Sequence, residues 1–300
     1  MVRLPNGLNR DVIVNRMVLA CIRVLSLFPL ELIRWLGRRL GELIWFGRTR
    51  MQKSTCRNLE LAYPKLDRAE RRKLGIESLR QTATIYMESG LVWHWSAPKI
   101  DRCLLSIHGG DVLTEDRNGK GMVMLVPHLG NWEVLSYYFA SKGPLTALYE
   151  NRRIRGIEEQ VISARERHGG RLVPPTRGGL RTLLLALRRG ELVVVLPDQV
   201  PARGNGVMAN FMKRSALTGT LSHRLIQQTG ARACLATAIR VRGGFEVWFD
   251  ALKDAVYDVD PVVSANAINA GIELAIARAP SQYQWEYKRF RVPGENDIYR

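Results

Sequence analysis

Short apolar runs and helix-like stretches alternate along the second half of the chain. Residues 121–127 form a nearly continuous apolar run that begins at a glycine, as is typical of a buried strand in a parallel sheet. Similar runs predict strands over 145–149, 171–173, 192–196, 234–241 and 244–249. The patterns between them predict helices over 131–141, 155–168, 178–189, 215–229 and 263–278. This alternation predicts an α/β fold whose three-layer core surrounds a mostly parallel central sheet, with functional residues beyond the carboxyl ends of the strands.

The first part of the chain has a helical pattern instead. Residues 17–36 are rich in Leu, Ile and Val, but charged residues interrupt them. A spanning helix needs about 20 mostly apolar residues, and each central charge costs about 2.5–3.5 kcal/mol. The sequence therefore favours membrane-associating amphipathic helices over 11–28 and 30–47, with Trp35, Trp45 and Phe46 at a lipid interface. Two other interpretations stay open, namely helices that pack on the rest of the protein and a single membrane span.

Three parts of the chain follow from these patterns. Residues 1–47 form the amino-terminal membrane-associating part, residues 48–110 a basic helical segment, and residues 111–300 the α/β core. Within the basic segment, Asp67 and Glu70 have the spacing of a capping box, which predicts a helix that starts there and continues to about residue 95.

The charge of the chain favours anionic partners. Lys and Arg number 45 against 28 Asp and Glu, which gives a net charge of +17. Nucleic acid, a lipid surface, phosphorylated substrates and an acidic protein all fit such an excess. Aromatic residues are not interleaved with the basic run, and no nucleic-acid-binding signature occurs, so we expect no nucleic-acid partner, although a basic peripheral nucleic-acid-binding protein stays an alternative. Neither the four cysteines nor the five histidines have metal-ligand spacing, so we expect no metal and no cofactor.

The candidate chemistry follows the first predicted strand. His128 and Glu133 are five residues apart, a spacing that would place them on different faces of one helix. They can meet if His128 lies in a turn, Asn131 caps the next helix and Glu133 falls in its first turn. An imidazole oriented by a carboxylate is a general base. Gly130 lets the backbone pass close to a reacting group. The sequence thus predicts a His128–Glu133 pair, with Gly130 and Asn131 as positioning or oxyanion-binding residues.

Several segments together resemble the lipid A late acyltransferases, the lauroyl and myristoyl transferases of lipopolysaccharide biosynthesis. The resemblance covers most of the chain and is carried by His128-Leu129-Gly130-Asn131-Trp132-Glu133, by the segment GELVVVLPDQ at 190–199, by Asn58 to Pro64, by Arg165 before Gly169-Gly170, and by Pro280 to Phe290. It departs from the family at Phe211-Met212-Lys213, at Tyr287-Lys288 and in an additional residue between Tyr149 and Arg152. The glycerolipid acyltransferases are the alternative enzyme class, but their Glu-Gly-Thr-Arg phosphate element does not occur here.

The resemblance implies acyl transfer from acyl carrier protein, or acyl-CoA, to a hydroxyl of a lipid A precursor glycolipid. It also implies attachment to the cytoplasmic face of the inner membrane by the amino-terminal helices. His128 would deprotonate the hydroxyl, and Glu133 would stabilise the resulting imidazolium. Arg152, Arg153 and Arg165 are candidate phosphate or carrier contacts, because Arg binds oxyanions in a bidentate way. Asp198, after the 192–196 strand, is expected to orient one of these arginines. A non-catalytic scaffold of the same fold is a further alternative.

Overall fold

The computed structural model describes residue 20 and residues 22–113, 119–149, 158–295 and 297–299. Its helices are α1 (Leu30–Phe46), α2 (Arg50–Ala62), α3 (Arg68–His94), α4 (Ala97–Asp101), α5 (Trp132–Ala140), α6 (Glu158–Glu166), α7 (Arg177–Arg188), α8 (Leu221–Thr229) and α9 (Pro261–Arg278). Its strands are β1 (Leu104–His108), β2 (Met122–Leu125), β3 (Leu145–Leu148), β4 (Gly170–Val173), β5 (Leu192–Val195), β6 (Gly206–Phe211), β7 (Arg214–Gly219), β8 (Arg232–Val241) and β9 (Gly244–Ala251).

The central sheet is mostly parallel, as predicted. Among the described residues, seven strands form this sheet, in the order β1-β9-β8-β2-β5-β3-β4. Strands β8, β2, β5, β3 and β4 run parallel to one another, while β9 is antiparallel to β8 and parallel to β1. The sequence did not indicate β1, because this strand lies at the sheet edge and its alternate residues Leu105 and Ile107 are exposed. The sheet therefore begins before residue 111, where the sequence placed the start of the core.

Helices cover both faces of the sheet. Val123 and Leu125 of β2 face one apolar core, which receives side chains from α2, α7, α8 and α9. Met122 and Met124 face the other core, which receives side chains from α1, α3, α4 and α5. A strand buried on both faces shows a continuous apolar run, and this burial explains why the sequence pattern located β2 and β5 well.

The helix predicted over 215–229 is wrong for its first part. Residues 206–211 and 214–219 form an antiparallel hairpin, and α8 begins only at Leu221. Met212 and Lys213 have positive φ values of 51° and 61°, the geometry of a two-residue hairpin turn. In β7, Ala216 and Thr218 are buried while their neighbours are not, which is the period of a strand.

The amino-terminal helix α1, predicted over 30–47, packs tightly on α3. A Cβ at Gly37 or Gly41 would collide with the α3 backbone at Thr84 or Arg80 respectively, so the two helices approach closely. The predicted lipid contact of Trp45 is wrong, because Trp45 is 7% exposed and lies against Gly75.

The other face of α1 is open. Trp35 is 54% and Phe46 64% exposed, as a lipid-facing side chain requires. The helix predicted over 11–28 falls mostly outside the described residues, but residues 22–25 are helical. Among the described residues, no helix combines the length and hydropathy needed to cross a membrane.

At the start of α3, the predicted capping box is confirmed. The Asp67 side chain accepts from the backbone N–H of Glu70 at 2.8 Å, and the Glu70 side chain accepts from the N–H of Asp67 at 2.8 Å. These two contacts satisfy donors at the helix end that the helix itself leaves free.

Candidate active site

Two neighbouring parallel strands bring the site together. Strands β2 and β5 are paired with Leu125 opposite Val195. Beyond that pair, three further residues lead from β2 to His128, and three lead from β5 to Asp198. Because the carboxyl ends of parallel strands meet at one edge, these equal extensions place the two side chains side by side.

Asp198 holds both the backbone and the ring of His128. Its Oδ2 accepts from the backbone N–H of His128 at 2.8 Å, and its Oδ1 lies 2.8 Å from Nδ1 of the ring. Burial by itself would raise the pKa of Asp198, but the contacts with His128 and the charge of Arg289 outweigh burial and lower it. An ionised Asp198 accepts a hydrogen bond from Nδ1–H, which leaves the lone pair of the neutral ring on Nε2.

Gln199 occupies the other side of the imidazole. Its amide nitrogen lies 3.1 Å from Nε2 of His128 and donates to Oε1 of Gln284 at 3.0 Å. The ring of Trp132 meets the imidazole edge-on, with ring centroids 4.9 Å apart. With 11% of its side chain exposed, His128 is nearly buried but still reachable.

The turn after β2 is fixed from several sides. Gly130 has φ +66°, and a Cβ there would collide with the carbonyl oxygen of Ala238, so only glycine fits. Asn131 caps α5 as predicted, since its side chain accepts from the backbone N–H groups of Glu133 and Val134. The N–H of Gly130 itself donates to the carbonyl of Gln282 and that of Asn131 to Ala238. Both N–H groups are therefore used within the fold, which disfavours them as oxyanion donors and leaves their positioning role as a prediction.

Glu133 stands in the first turn of α5, as predicted, but its carboxylate has other partners than His128. Nε1 of Trp93 donates to Oε2 at 3.1 Å, and Arg165 donates to both carboxylate oxygens, from Nε at 3.0 Å and from Nη2. Burial would raise the pKa of Glu133, but the charge and hydrogen bonds of Arg165 and the indole N–H groups of Trp93 and Trp132 lower it. The direct His128–Glu133 contact expected from the sequence is replaced by His128–Asp198.

The arginines expected to contact phosphate are placed differently. Arg165 forms an ion pair with Glu133, and its guanidinium lies 5.6 Å from the centre of the Tyr149 ring. Asp198 contacts the ring of His128 rather than an arginine. Arg152 and Arg153 lie outside the described residues. Within the described part of the chain, no group of His, Cys, Asp and Glu side chains could hold a metal ion.

Beneath the turn lies a charge network that the sequence pattern did not reveal. Glu88 of α3 is fully buried and accepts from Arg34 at 2.7 Å, from Arg240 at 2.6 Å and from the Asn131 side chain at 2.9 Å. Arg240 also donates to the carbonyl of Gly130 at 3.0 Å. Buried charges require such pairing, so the network fixes the turn that carries His128.

Comparison with known proteins assigns the family. The family described as bacterial lipid A biosynthesis acyltransferase matches residues 9–292. The chain belongs to this family. It is 26% identical over 277 residues to the lipid A biosynthesis palmitoleoyltransferase of Escherichia coli strain K12, covering 90% of this chain and 89% of that protein. It is also 26% identical to the lauroyltransferase of the same strain, covering 89% and 88%, and 24% identical to the myristoyltransferase, covering 88% and 82%.

Membership of the lipid A biosynthesis acyltransferases makes the protein an acyltransferase that acts in lipid A synthesis. The sequence pattern marks His128, Glu133 and Asp198 as candidates but gives Gln199 no role of its own. The signal that could have singled out Gln199 is its place next to Asp198 at the end of β5. Sequence spacing alone gave no reason to choose Glu88, Arg240 or Gln284.

Proposed function

We propose that the protein transfers a fatty acyl chain from acyl carrier protein, or from acyl-CoA, to a hydroxyl of a lipid A precursor. The acceptor hydroxyl attacks the thioester directly. The observation that carries this proposal is the His128 imidazole, which Asp198 holds through Nδ1 at the edge of the sheet. Such an imidazole has its lone pair on Nε2 and acts as a general base toward a hydroxyl.

The proposed reaction moves one proton and one acyl group. Nε2 of His128 takes the proton of the acceptor hydroxyl while the oxygen forms a bond with the thioester carbonyl carbon. The carbon–sulfur bond then breaks, and the imidazolium returns its proton to the departing thiolate. The products are an ester and a free thiol. Asp198 stabilises the imidazolium between these two steps, because the ionised carboxylate already contacts Nδ1.

Stabilisation of the tetrahedral oxyanion requires a hydrogen-bond donor near Nε2. The amide of Gln199 lies there, 3.1 Å from Nε2, and the incoming hydroxyl must displace it from the lone pair. We propose that the displaced amide then donates to the oxyanion. Gly130 and Asn131 contribute by fixing the turn, since their N–H groups donate to backbone carbonyls.

Glu133 acts on His128 indirectly in this scheme. Trp132 contacts the imidazole with its ring and donates its indole N–H to Glu133. Glu133 therefore fixes Trp132 and, through it, one side of the imidazole. The ion pair of Glu133 with Arg165 connects the first turn of α5 to α6. We propose that Glu133 is a positioning residue whose charge also favours imidazolium.

Membrane attachment completes the proposal. The face of α1 directed away from α3 carries several exposed apolar side chains, among them Trp35, Leu43 and Phe46. An apolar stripe of this kind fits the boundary between head groups and acyl chains. The net charge of +17 favours an anionic leaflet, an acidic carrier protein and phosphate groups on the acceptor alike. We place the protein at the cytoplasmic face of the inner membrane, with no nucleic-acid partner.

The experiment is reconstitution with purified components. The full chain in detergent is incubated with acyl carrier protein thioesters and with acyl-CoA, in parallel, and with a lipid A precursor. Mass spectrometry then measures the gain of one acyl group. His128→Ala is the matched inactive variant. In a parallel reaction, glycerol 3-phosphate replaces the lipid A precursor as the acceptor. Acyl transfer to glycerol 3-phosphate but not to the lipid A precursor would contradict the proposal.

A further inference from the structure

A groove of about 610 Å³ lies beside the His128 site, outside the groups that the proposed mechanism uses. Its walls come from the start of α2, from the segment after β5 and from the carboxyl-terminal segment. Two of these segments also contact His128. Gln199, which precedes the lining residue Val200, contacts Nε2, and the backbone N–H of Gln284 donates to the carbonyl of His128 at 3.1 Å. The volume is in the usual range of ligand-binding sites.

The rim of the groove is cationic. Arg50 and Arg291 line it and are exposed, and Lys288 lines it while forming an ion pair with Asp297 at 3.0 Å. Arg50 is the first residue of α2, whose first turn contains no acidic residue. The positive end of the helix dipole therefore adds to the charge of the arginines. The guanidinium groups of Arg50, at the helix start, and of Arg291, whose charge also acts on Asp297, suit a phosphate, which Arg binds in a bidentate way.

Glu286 also lines the groove. Oε1 of Glu286 is buried and has no hydrogen bond, whereas Oε2 accepts from Thr82 at 2.9 Å. Burial raises the pKa of Glu286, although hydrogen bonds and the charge of His128 oppose this effect. Because Oε1 has almost no accessible surface, a ligand in the groove does not reach this oxygen. Met51 and Val200 supply apolar surface along the way.

We infer that this groove binds a phosphate ester of one of the two substrates. Arg50 and Arg291 hold the phosphate, and Met51 and Val200 contact the apolar part of the same substrate. The inference rests on the proposed function and names a site for its substrates. Two sources carry a phosphate ester: the phosphopantetheine arm of the donor and the sugar phosphate of the acceptor. Arg165, bound to Glu133, is not needed for this contact.

Binding of small probes separates the two sources. The full chain in detergent is titrated with 4′-phosphopantetheine and with glucosamine 1-phosphate, each compared with its dephosphorylated form. We expect one phosphate ester to bind at least about tenfold more tightly than its dephosphorylated form, because charge-assisted contacts to phosphate are lost. Arg50→Ala and Arg291→Ala should each weaken that binding about tenfold. Arg188→Ala removes an exposed arginine at the end of α7, near the amino end of β5, and should leave the binding of the phosphate ester unchanged.

Steady-state kinetics with whole substrates supply the second measurement. Arg50→Ala and Arg291→Ala should raise the KM of the substrate identified by the probes and leave kcat close to that of the Arg188→Ala control. The inference is overturned if neither phosphate ester binds better than its dephosphorylated form, or if both groove variants match Arg188→Ala in binding and in KM. A wild-type chain that binds the phosphate ester but transfers no acyl group would instead contradict the proposed function and leave the groove assignment standing.

Discussion

Nδ1 of His128 lies 2.8 Å from Oδ1 of Asp198, although 70 residues separate the two in the chain. The contact arises from the sheet, since each residue stands three positions beyond the paired residues Leu125 and Val195. Asp198 also accepts from the backbone N–H of His128, so one carboxylate fixes the turn and the ring together. A base held at two points keeps its orientation while a proton moves, as general-base catalysis requires.

Replacement of the base should abolish transfer without unfolding the protein. In His128→Ala the proton acceptor is lost from a turn that Gly130, Asn131 and Arg240 hold independently. We expect turnover to fall by about 10²–10⁴-fold. Single-turnover acyl transfer measures the loss, and circular dichroism with thermal unfolding checks the fold. Wild-type turnover in a folded His128→Ala protein would contradict the mechanism.

Asp198→Asn tests whether the carboxylate orients the ring. The amide keeps the volume but has no charge, and it can present an N–H to Nδ1, which moves the ring proton to Nε2 and removes the base. We expect kcat to fall by about 10²–10⁴-fold, with little change in the KM of either substrate. A defect in KM alone would show that Asp198 serves binding. The control is Lys120→Ala, which changes an exposed residue just before the amino end of β2, away from the site.

The same variant gives a prediction for stability against pH. The pKa of Asp198 is lowered in the folded protein, so the ionised group stabilises the fold above the usual carboxyl range near pH 4. This contribution is lost as pH falls below that range and Asp198 takes up a proton. The difference in free energy of unfolding between wild type and Asp198→Asn should therefore shrink as pH falls from 6 to 3. Denaturant unfolding at several pH values measures it, and a difference independent of pH would show that the charge does not stabilise the fold.

Local sequence patterns predicted the helices and strands better than they predicted which side chains of the site contact each other. The apolar runs located β2 and β5, and the Asn131 cap predicted the start of α5, because these depend on neighbouring residues. The partner of His128 depends on strand order, which a single sequence does not contain, and so the nearby Glu133 appeared as its partner in place of Asp198. The hairpin at 206–219 was missed because its positive-φ turn uses Met212 and Lys213 rather than Asn or Gly.

Variants of Glu133 and Arg165 can distinguish an effect of Glu133 on catalysis from its effect on the stability of the fold. Glu133→Gln leaves the largely buried Arg165 without its counter-charge, which should destabilise the fold by an amount on the order of 1–3 kcal/mol. Adding Arg165→Met removes the unpaired charge and should restore most of the thermal stability. If Glu133 assists His128 through Trp132, the double variant stays slow, with a low kcat and a nearly normal KM. Recovery of activity together with stability would instead assign Glu133 a structural role alone.

The two faces of α1 should respond differently to substitution. On the inner face, Arg34 donates to Glu88 at 2.7 Å and to the backbone carbonyls of Val241 and Gly244. Arg34→Met leaves Glu88 with fewer partners in the core and should destabilise the protein by about 3 kcal/mol. Arg34 also ties the helix to the sheet, so removal of the first 47 residues should expose Glu88 and the core beneath α1 rather than release an intact α/β domain.

On the outer face, the exposed Trp35, Leu43 and Phe46 can be changed without disturbing the packing. The triple change to Ser should leave thermal stability close to wild type but reduce binding to vesicles that contain anionic lipid, because apolar area inserted at the interface is lost. High salt should weaken binding of the wild type only in part, since it screens charge attraction but not apolar insertion. Sedimentation with vesicles at low and high salt measures both effects. Undiminished binding of a stable triple variant would show that membrane contact occurs elsewhere on the chain.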